Sequence, residues 1–238
     1  MSNNLIYAAT IIARQQSSRF PGKVIVDFDG DPLIVRIAKR VALSTELDKI
    51  IFCIPNSGSE ELSQILRQFI IESDDDRFCI FYGDHVNVLN RVTQAMIDNE
   101  VDFAIRVNSD CPFVDYRIID GIIKKHSAKN NQLDFISTKL LKRRLPYGLD
   151  IELFSLNLAI KVEKNASSDD KEHVTSGMLS ISETIECEDF NLGINNPNFQ
   201  LTIDTQEDLL RMIAIDKLMS PYQSLHILDR IDYLKKQV

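Results

Sequence analysis

Four short apolar runs, each followed by a stretch with helical spacing, constrain this chain more than any other feature. Residues 5–12, 49–54, 78–82 and 102–107 are rich in β-branched and aromatic side chains. Residues 32–43, 59–71, 86–99 and 116–126 instead repeat their apolar positions every three or four residues. Pro32 suits the first turn of its helix, Pro55 closes a strand, and Ser59-Glu60-Glu61 opens another helix. Strands of this length separated by such helices imply βαβ units and a mostly parallel α/β sheet.

The rhythm changes after Leu133. Residues 134–138 fit one more strand, Pro146-Tyr147-Gly148 signals a turn, and residues 149–154 alternate like an exposed or hairpin strand. Residues 155–164 read as helix, 167–170 as a polar break, and 172–179 as a further short helix. Residues 138–190 are therefore expected to leave the main sheet as a small inserted subregion, a lid or an oligomer contact. A strand over 199–203 and helices over 205–219 and 221–236 complete the expectation.

The bulk properties narrow the function. With 238 residues, 44% hydrophobic and 26% charged, the chain can bury a substantial core, and a single domain with an embedded subregion suffices. A net charge of −8 argues against a general nucleic-acid binder. Cys53, Cys79, Cys111 and Cys187 are too far apart for a C-x-x-C zinc site and fit a reducing cytoplasm better than a disulfide framework. The longest apolar stretch is too short to span a bilayer, and the first residues lack a signal peptide's basic start. A cytoplasmic protein without a membrane partner is expected. Eight glycines supply neither a Walker A loop nor a dinucleotide fingerprint.

Against this acidic background, Arg14, Arg19 and Lys23 gather on the loop leaving the first strand, with Ser17 and Ser18 between them and Pro21-Gly22 turning the chain. Arg forks grip phosphate oxygens in pairs, Lys adds a mobile point charge, and α/β sheets bind ligands where strands end. A multiply charged anion is the expected occupant. A solvated basic loop is the plainer alternative. Asp110 and Asp204 each follow an expected strand, where two carboxylates brought from distant sequence could share one Mg²⁺. Asp204 reads equally well as a helix cap, and Asp110 as a turn carboxylate. Arg91, one turn inside its helix, is placed to face the same cleft. His173 is one of four histidines, a type more often structural than catalytic. Asp74-Asp75-Asp76 reads as a solvated turn. Asp27-Phe28-Asp29 has the D-x-D form of a metal motif but lies beside the first loop.

The opening segment Ile12-Ala13-Arg14-x-x-Ser17-Ser18-Arg19-Phe20-Pro21-Gly22-Lys23-Val24 resembles the signature of the cytidylyltransferases that make CMP-activated sugars. The spore-coat polysaccharide branch is the most similar. Further segments follow in the same order, among them Arg106-Val107-Asn108-Ser109-Asp110, Pro146-Tyr147-Gly148-Leu149-Asp150-Ile151-Glu152, Glu172-His173-Val174-Thr175 and Thr202-Ile203-Asp204-Thr205. The resemblance implies a nucleotide-diphospho-sugar transferase fold, Rossmann-like and GT-A-like, and a reaction of CTP with a small acidic acceptor to give a CMP-conjugate and pyrophosphate. It implies a nucleotide site built from Ala13, Arg14, Ser17, Ser18, Arg19, Lys23, Arg91, Arg106 and Ser109. Arg19, Lys23 and Asp110 would act in catalysis, Asp110 and Asp204 would hold Mg²⁺, and Tyr147, Glu152, Glu172 and His173 would face the acceptor. It also implies a homodimer with contacts in residues 138–190. Gln16 departs from the pattern, standing where the family usually has Gly or Ala, and so bears on base or substrate preference. A GT-A-type glycosyltransferase and an inactive nucleotide-binding relative are the alternatives.

Overall fold

Strand β1 (Tyr7–Ile12) is buried on both faces, and the fold grows outward from it. Its residues alternate between two cores: Tyr7, Ala9 and Ile11 pack on one side, Ala8 on the other. The computed structural model describes residues 5–17, 19–129, 132–139, 143–182, 185–187, 196–219, 227, 231–234 and 236. A basic loop and a 3-10 turn (Lys23–Ile25) lead to the hairpin β2 (Asp27–Phe28) and β3 (Asp31–Pro32), then α1 (Leu33–Val41). β4 (Lys49–Pro55), α2 (Glu60–Ser73), β5 (Phe78–Gly83), α3 (Val88–Asp98), β6 (Phe103–Asn108) and α4 (Tyr116–Ala128) complete the predicted alternation. β7 (Phe135–Ser137), β8 (Glu152–Ser155), α5 (Leu156–Glu163), α6 (Ser168–His173), α7 (Met178–Ile181), β9 (Ile185–Cys187), α8 (Gln206–Met219) and α9 (Ile231–Leu234) follow.

Among the described residues seven strands form one sheet, ordered β5-β4-β1-β6-β8-β7-β9, and β2 and β3 pair only with each other. β5, β4, β1 and β6 run parallel, while β8 is antiparallel to both β6 and β7. β1 is flanked by β4 on one side and β6 on the other, so the chain winds away from it in both directions. Crevices outside the carboxyl ends at such a reversal are where open α/β sheets bind ligands. Apolar side chains of β4 serve both cores, Ile50, Phe52 and Ile54 on the face of α1 and α2, Ile51 and Cys53 on the face of α3 and α5. Covering both faces is what parallel strands demand.

Four expectations need correction. Residues 149–154 do not form an exposed strand: β8 is buried and sits between β6 and β7, so this part of the 138–190 stretch belongs to the central sheet. Two short helices, α6 and α7, stand where one was expected, because Val174 adopts a left-handed φ of 55° and ends the first. The polar break at 167–170 is instead the start of α6, where Ser167 and Asp170 form a capping box. No strand covers 199–203. That segment is held by single contacts, with Tyr147 N donating to Phe199 O at 2.9 Å and Leu201 N donating to Tyr147 O at 2.9 Å. Of the expected helix over 221–236, only α9 and residues 227 and 236 fall within the described residues.

A candidate nucleotide-binding active site

The basic loop curls back on itself at Gly22, whose φ of +74° is the left-handed conformation that favours glycine. Gly22 N donates to Gln15 O at 3.0 Å, closing the loop and pointing Lys23 under it. The Lys23 Nζ lies 3.1 Å from Asp110 Oδ2 and 3.1 Å from Asp204 Oδ1, and donates to Ile203 O at 2.9 Å. Two acids separated by most of the chain thus converge on one ammonium. Asp110 arrives directly off β6. Asp204 arrives because its segment lies beside the Tyr147-Gly148 turn and because Ile203 N donates to Asp110 O at 2.9 Å. Gly148 makes that approach possible: a Cβ there would sit 2.7 Å from Leu201 O, and its φ is +95°.

The helix-cap alternative for Asp204 is resolved by its neighbour. Asp208 N donates to Thr205 Oγ1 at 3.2 Å, while Asp208 Oδ2 accepts from the Asp204 and Thr205 amides. Thr205 therefore caps α8, and the Asp204 carboxylate faces the cleft, where Arg19 also donates to it at 3.0 Å. Arg14 donates to Glu172 Oε1 at 3.0 Å across the opening. Every cation of the loop meets a carboxylate.

Arg91 differs. It is fully buried at the start of α3, with its Nη1 donating to Asp84 O and its Nε and Nη2 facing no partner. Gly83 leaves the space it occupies, since a Cβ there would meet Arg91 Cγ at 2.7 Å. Burial pushes its guanidinium below the ordinary arginine range, and the like charge of Arg14 adds to the effect. Even so depressed, an arginine stays charged at neutral pH, so this is a cation in search of an anion.

These residues line one cleft of about 380 Å³ at the carboxyl ends of β1 and β6. Arg14, Ser17, Arg19, Lys23, Arg91, Arg106, Ser109, Asp110, Asp204, Glu172 and His173 all border it, as the sequence anticipates. Ala13 is buried beneath it, its amide bonded to Cys53 O. Ser18 lies outside the described residues. Tyr147 and Glu152 do not border the cleft, contrary to expectation. Tyr147 carries the Arg143 guanidinium stacked at 3.9 Å from its ring centre. Glu152 is buried and fully engaged: Arg106 at 3.1 Å and Thr175 at 2.8 Å on Oε2, Lys139 at 2.8 Å on Oε1. Burial would raise its pKa, but Lys139 and Arg106 outweigh burial and hold it below the usual glutamate value. Its role is to fix Arg106, whose Nε remains buried without a partner.

Sequence reasoning passed over Asn108, the last residue of β6, which also lines the cleft. Its signal was its place two residues before Asp110. It also passed over Asp150, which pairs with Arg143. Burial raises the Asp150 carboxyl above its ordinary range despite Arg143. The D-x-D acids are elsewhere. Asp27 accepts from Gly30 N at 3.0 Å to close the β2–β3 turn, and Asp29 pairs with Lys217 at 3.4 Å. Neither borders the cleft, which removes the feature that favoured a glycosyltransferase.

Among the described residues no cluster of three or more acidic, histidine or cysteine side chains could hold a metal. Two carboxylates meeting at one positive centre are nevertheless the donor set of a hard divalent cation that keeps waters or phosphate oxygens as its other ligands. Asp110 and Asp204 fit Mg²⁺ on that ground.

The family model described as Cytidylyltransferase matches residues 8–236. This chain belongs to the cytidylyltransferase family. Members of that family are CTP-dependent nucleotidyltransferases. Among curated relatives, the chain is 28% identical to the spore coat polysaccharide biosynthesis protein SpsF of Bacillus subtilis over 206 residues, 83% of this chain and 81% of that one. It is 29% identical to the 3-deoxy-manno-octulosonate cytidylyltransferase of Blochmanniella floridana over 134 residues, 54% of this chain and half of that protein's length. Among solved structures, a cytidylyltransferase from Leptospira borgpetersenii superposes with a TM-score of 0.85 at 20% identity, covering 98% of this chain and 95% of the other. That likeness bears on the fold, a nucleotide-diphospho-sugar transferase type, and agrees with the predicted α/β class.

Proposed function

We propose that this cytidylyltransferase transfers the CMP unit of CTP to an acidic sugar or related small acid and releases pyrophosphate, as a step in making a surface polysaccharide or glycoconjugate. One observation carries most of the weight: Arg91 is buried with two guanidinium nitrogens unpartnered at a cleft bordered by four more cations. A buried charge without a counter-charge is costly, and a polyphosphate would repay that cost. The two relatives, one acting in spore coat polysaccharide biosynthesis and one on 3-deoxy-manno-octulosonate, favour an acceptor of that chemistry.

In this reading an acceptor oxygen attacks the α-phosphorus, the bond to the leaving pyrophosphate breaks, and the acceptor's proton passes to solvent. Arg14 and Arg91 hold the triphosphate. Lys23 and Arg19 lie where charge grows on the leaving oxygen, and give up Asp110 and Asp204 to reach it. Mg²⁺, held by those two carboxylates, would supply further neutralisation of the phosphates. Catalysis is then positioning and electrostatics, with Lys23 and Arg19 exchanging their carboxylates for the substrate. A homodimer with contacts in residues 138–190 and a cytoplasmic location belong to the same proposal. No helix among the described residues is long and apolar enough to cross a membrane.

The test is pyrophosphate release from CTP against a panel of acidic sugars, with UTP, ATP and GTP as alternative donors. Turnover with CTP and at least one acidic acceptor is expected. CTP binding without turnover across the whole panel would instead favour the inactive nucleotide-binding relative.

A further inference from the structure

The Lys23 ammonium is saturated. It carries three N–H donors and no acceptor, and three oxygens stand within its reach: Asp110 Oδ2 and Asp204 Oδ1 at 3.1 Å each, and Ile203 O at 2.9 Å. The side chain is largely withdrawn from solvent. The 3-10 turn that carries it packs against α1 and α2, so the root of the side chain is fixed by the scaffold.

Two of those three oxygens are the donors that a divalent cation on Asp110 and Asp204 would need. Facing carboxylates repel, and one positive centre between them relieves the repulsion. An ammonium and a metal ion are alternatives for that position. Asp110 is engaged on its other oxygen as well, where Cys111 Sγ donates to Oδ1 at 3.3 Å. Both oxygens of Asp110 thus carry a donor, one of them a full positive charge. An ion entering beside the ammonium would meet a like charge at close range.

We propose that Lys23 closes the divalent-cation site in the absence of nucleotide and that the triphosphate opens it, by drawing the ammonium off Asp110 and Asp204 so that the metal follows onto their oxygens. The inference rests on the nucleotide reading given above and adds an order to it. Arg91 gives the triphosphate a first hold that displaces no carboxylate, because its buried Nε and Nη2 face no partner. Nucleotide and metal are then linked reciprocally, each raising the other's affinity by the same factor.

The experiment measures divalent ions on the full chain without nucleotide. Mn²⁺, which shares the oxygen preference of Mg²⁺ and is followed by EPR, is titrated into the parent protein, Lys23→Gln, Lys23→Met, and the double variant carrying Lys23→Gln and Asp110→Asn. Both neutral single variants are expected to bind Mn²⁺ at least about tenfold more tightly than the parent protein, and the double variant should lose the gain. Mg²⁺ should raise the melting temperature of Lys23→Gln and leave that of the parent protein unchanged. A Lys23→Gln chain that folds only with Mg²⁺ present meets the same expectation. Parent affinity for Mn²⁺ equal to that of the neutral variants overturns the inference, and CTP binding by that same parent protein leaves the nucleotide reading standing. A gain that survives Asp110→Asn overturns it by placing the ion elsewhere. Neutral variants that stay unfolded at every Mg²⁺ concentration overturn it by making Lys23 a structural residue that no ion replaces. Failure of the parent protein to bind CTP, with or without Mg²⁺, overturns the nucleotide reading and the inference with it.

Discussion

The two halves of the site, the basic loop on the cleft and the support behind Arg106, handle charge in opposite ways. On the side of the basic loop, Arg14–Glu172 and Arg19–Asp204 are substantially exposed pairs. On the side of β8, Glu152 is buried among Arg106, Lys139 and Thr175. Exposed ion pairs contribute about 0–1 kcal/mol and are easily exchanged, whereas removing one member of a buried pair typically costs about 3–5 kcal/mol. The first half is suited to trading carboxylates for a substrate. The second is suited to holding Arg106 still while that happens.

The sharpest way to break this contrast is Glu152→Gln. It strands Arg106 and Lys139, and should lower unfolding free energy by about 3–5 kcal/mol in urea titration. A loss under 1 kcal/mol would erase the distinction between the halves. The pH dependence adds a second reading. Because the folded-state pKa of Glu152 is depressed, its contribution is present above the unfolded value and disappears as pH falls through the folded one. Glu152→Gln should therefore lose part of the acid-induced drop in stability that the parent protein shows below about pH 4.5.

Lys23→Ala tests the exchangeable side where exchange matters most. Pyrophosphate release should fall by about 30- to 1,000-fold, equivalent to about 2–4 kcal/mol of transition-state stabilisation. The Lys23 ammonium is only 13% exposed and joins two carboxylates, so the urea midpoint should fall as well, and turnover is compared under conditions where both proteins are folded. Near-normal turnover would remove Lys23 from the chemistry.

Arg91→Leu separates binding from folding. Among the described residues no carboxylate forms an ion pair with this buried cation, so stability should hold or rise. CTP affinity, measured by calorimetry, should weaken by about 1.5–3 kcal/mol. A large loss of stability with unchanged affinity would make Arg91 a structural residue. The smallest effect belongs to Glu172→Gln, where stability should change by under about 1 kcal/mol because both partners are half-exposed.

The parallel half of the sheet was legible because each strand is a short, mostly apolar run, closed by Pro55 in β4 and Gly83 in β5, and each helix shows its period. β8 was not, because Asp150 and Glu152 interrupt the apolar residues of 149–154 and give the alternation of an exposed strand. Only the positions of Arg106 and Lys139 beside Glu152, and of Arg143 beside Asp150, reveal that these acids turn inward to partners, and no local pattern encodes that. For the same reason Glu152 read as an acceptor contact when it braces an arginine. The cationic loop and Asp110 were legible because each follows a strand, a position that sequence periodicity locates well, whereas Asp204 was placed at the end of a strand that does not form and reaches the cleft on an irregular segment. Whether Asp204 or Thr205 capped α8 was not, since both residue types cap helices and only the side-chain direction decides.

Gly148 has a reach beyond its own turn. It borders no part of the cleft, yet the carbonyl of Leu201 presses where its side chain would be. A single added methyl would push away the strap that delivers Asp204. Such a lesion would mimic the removal of that carboxylate in every kinetic readout, so a mutational survey scored on activity alone would credit chemistry to a residue whose whole contribution is having no side chain.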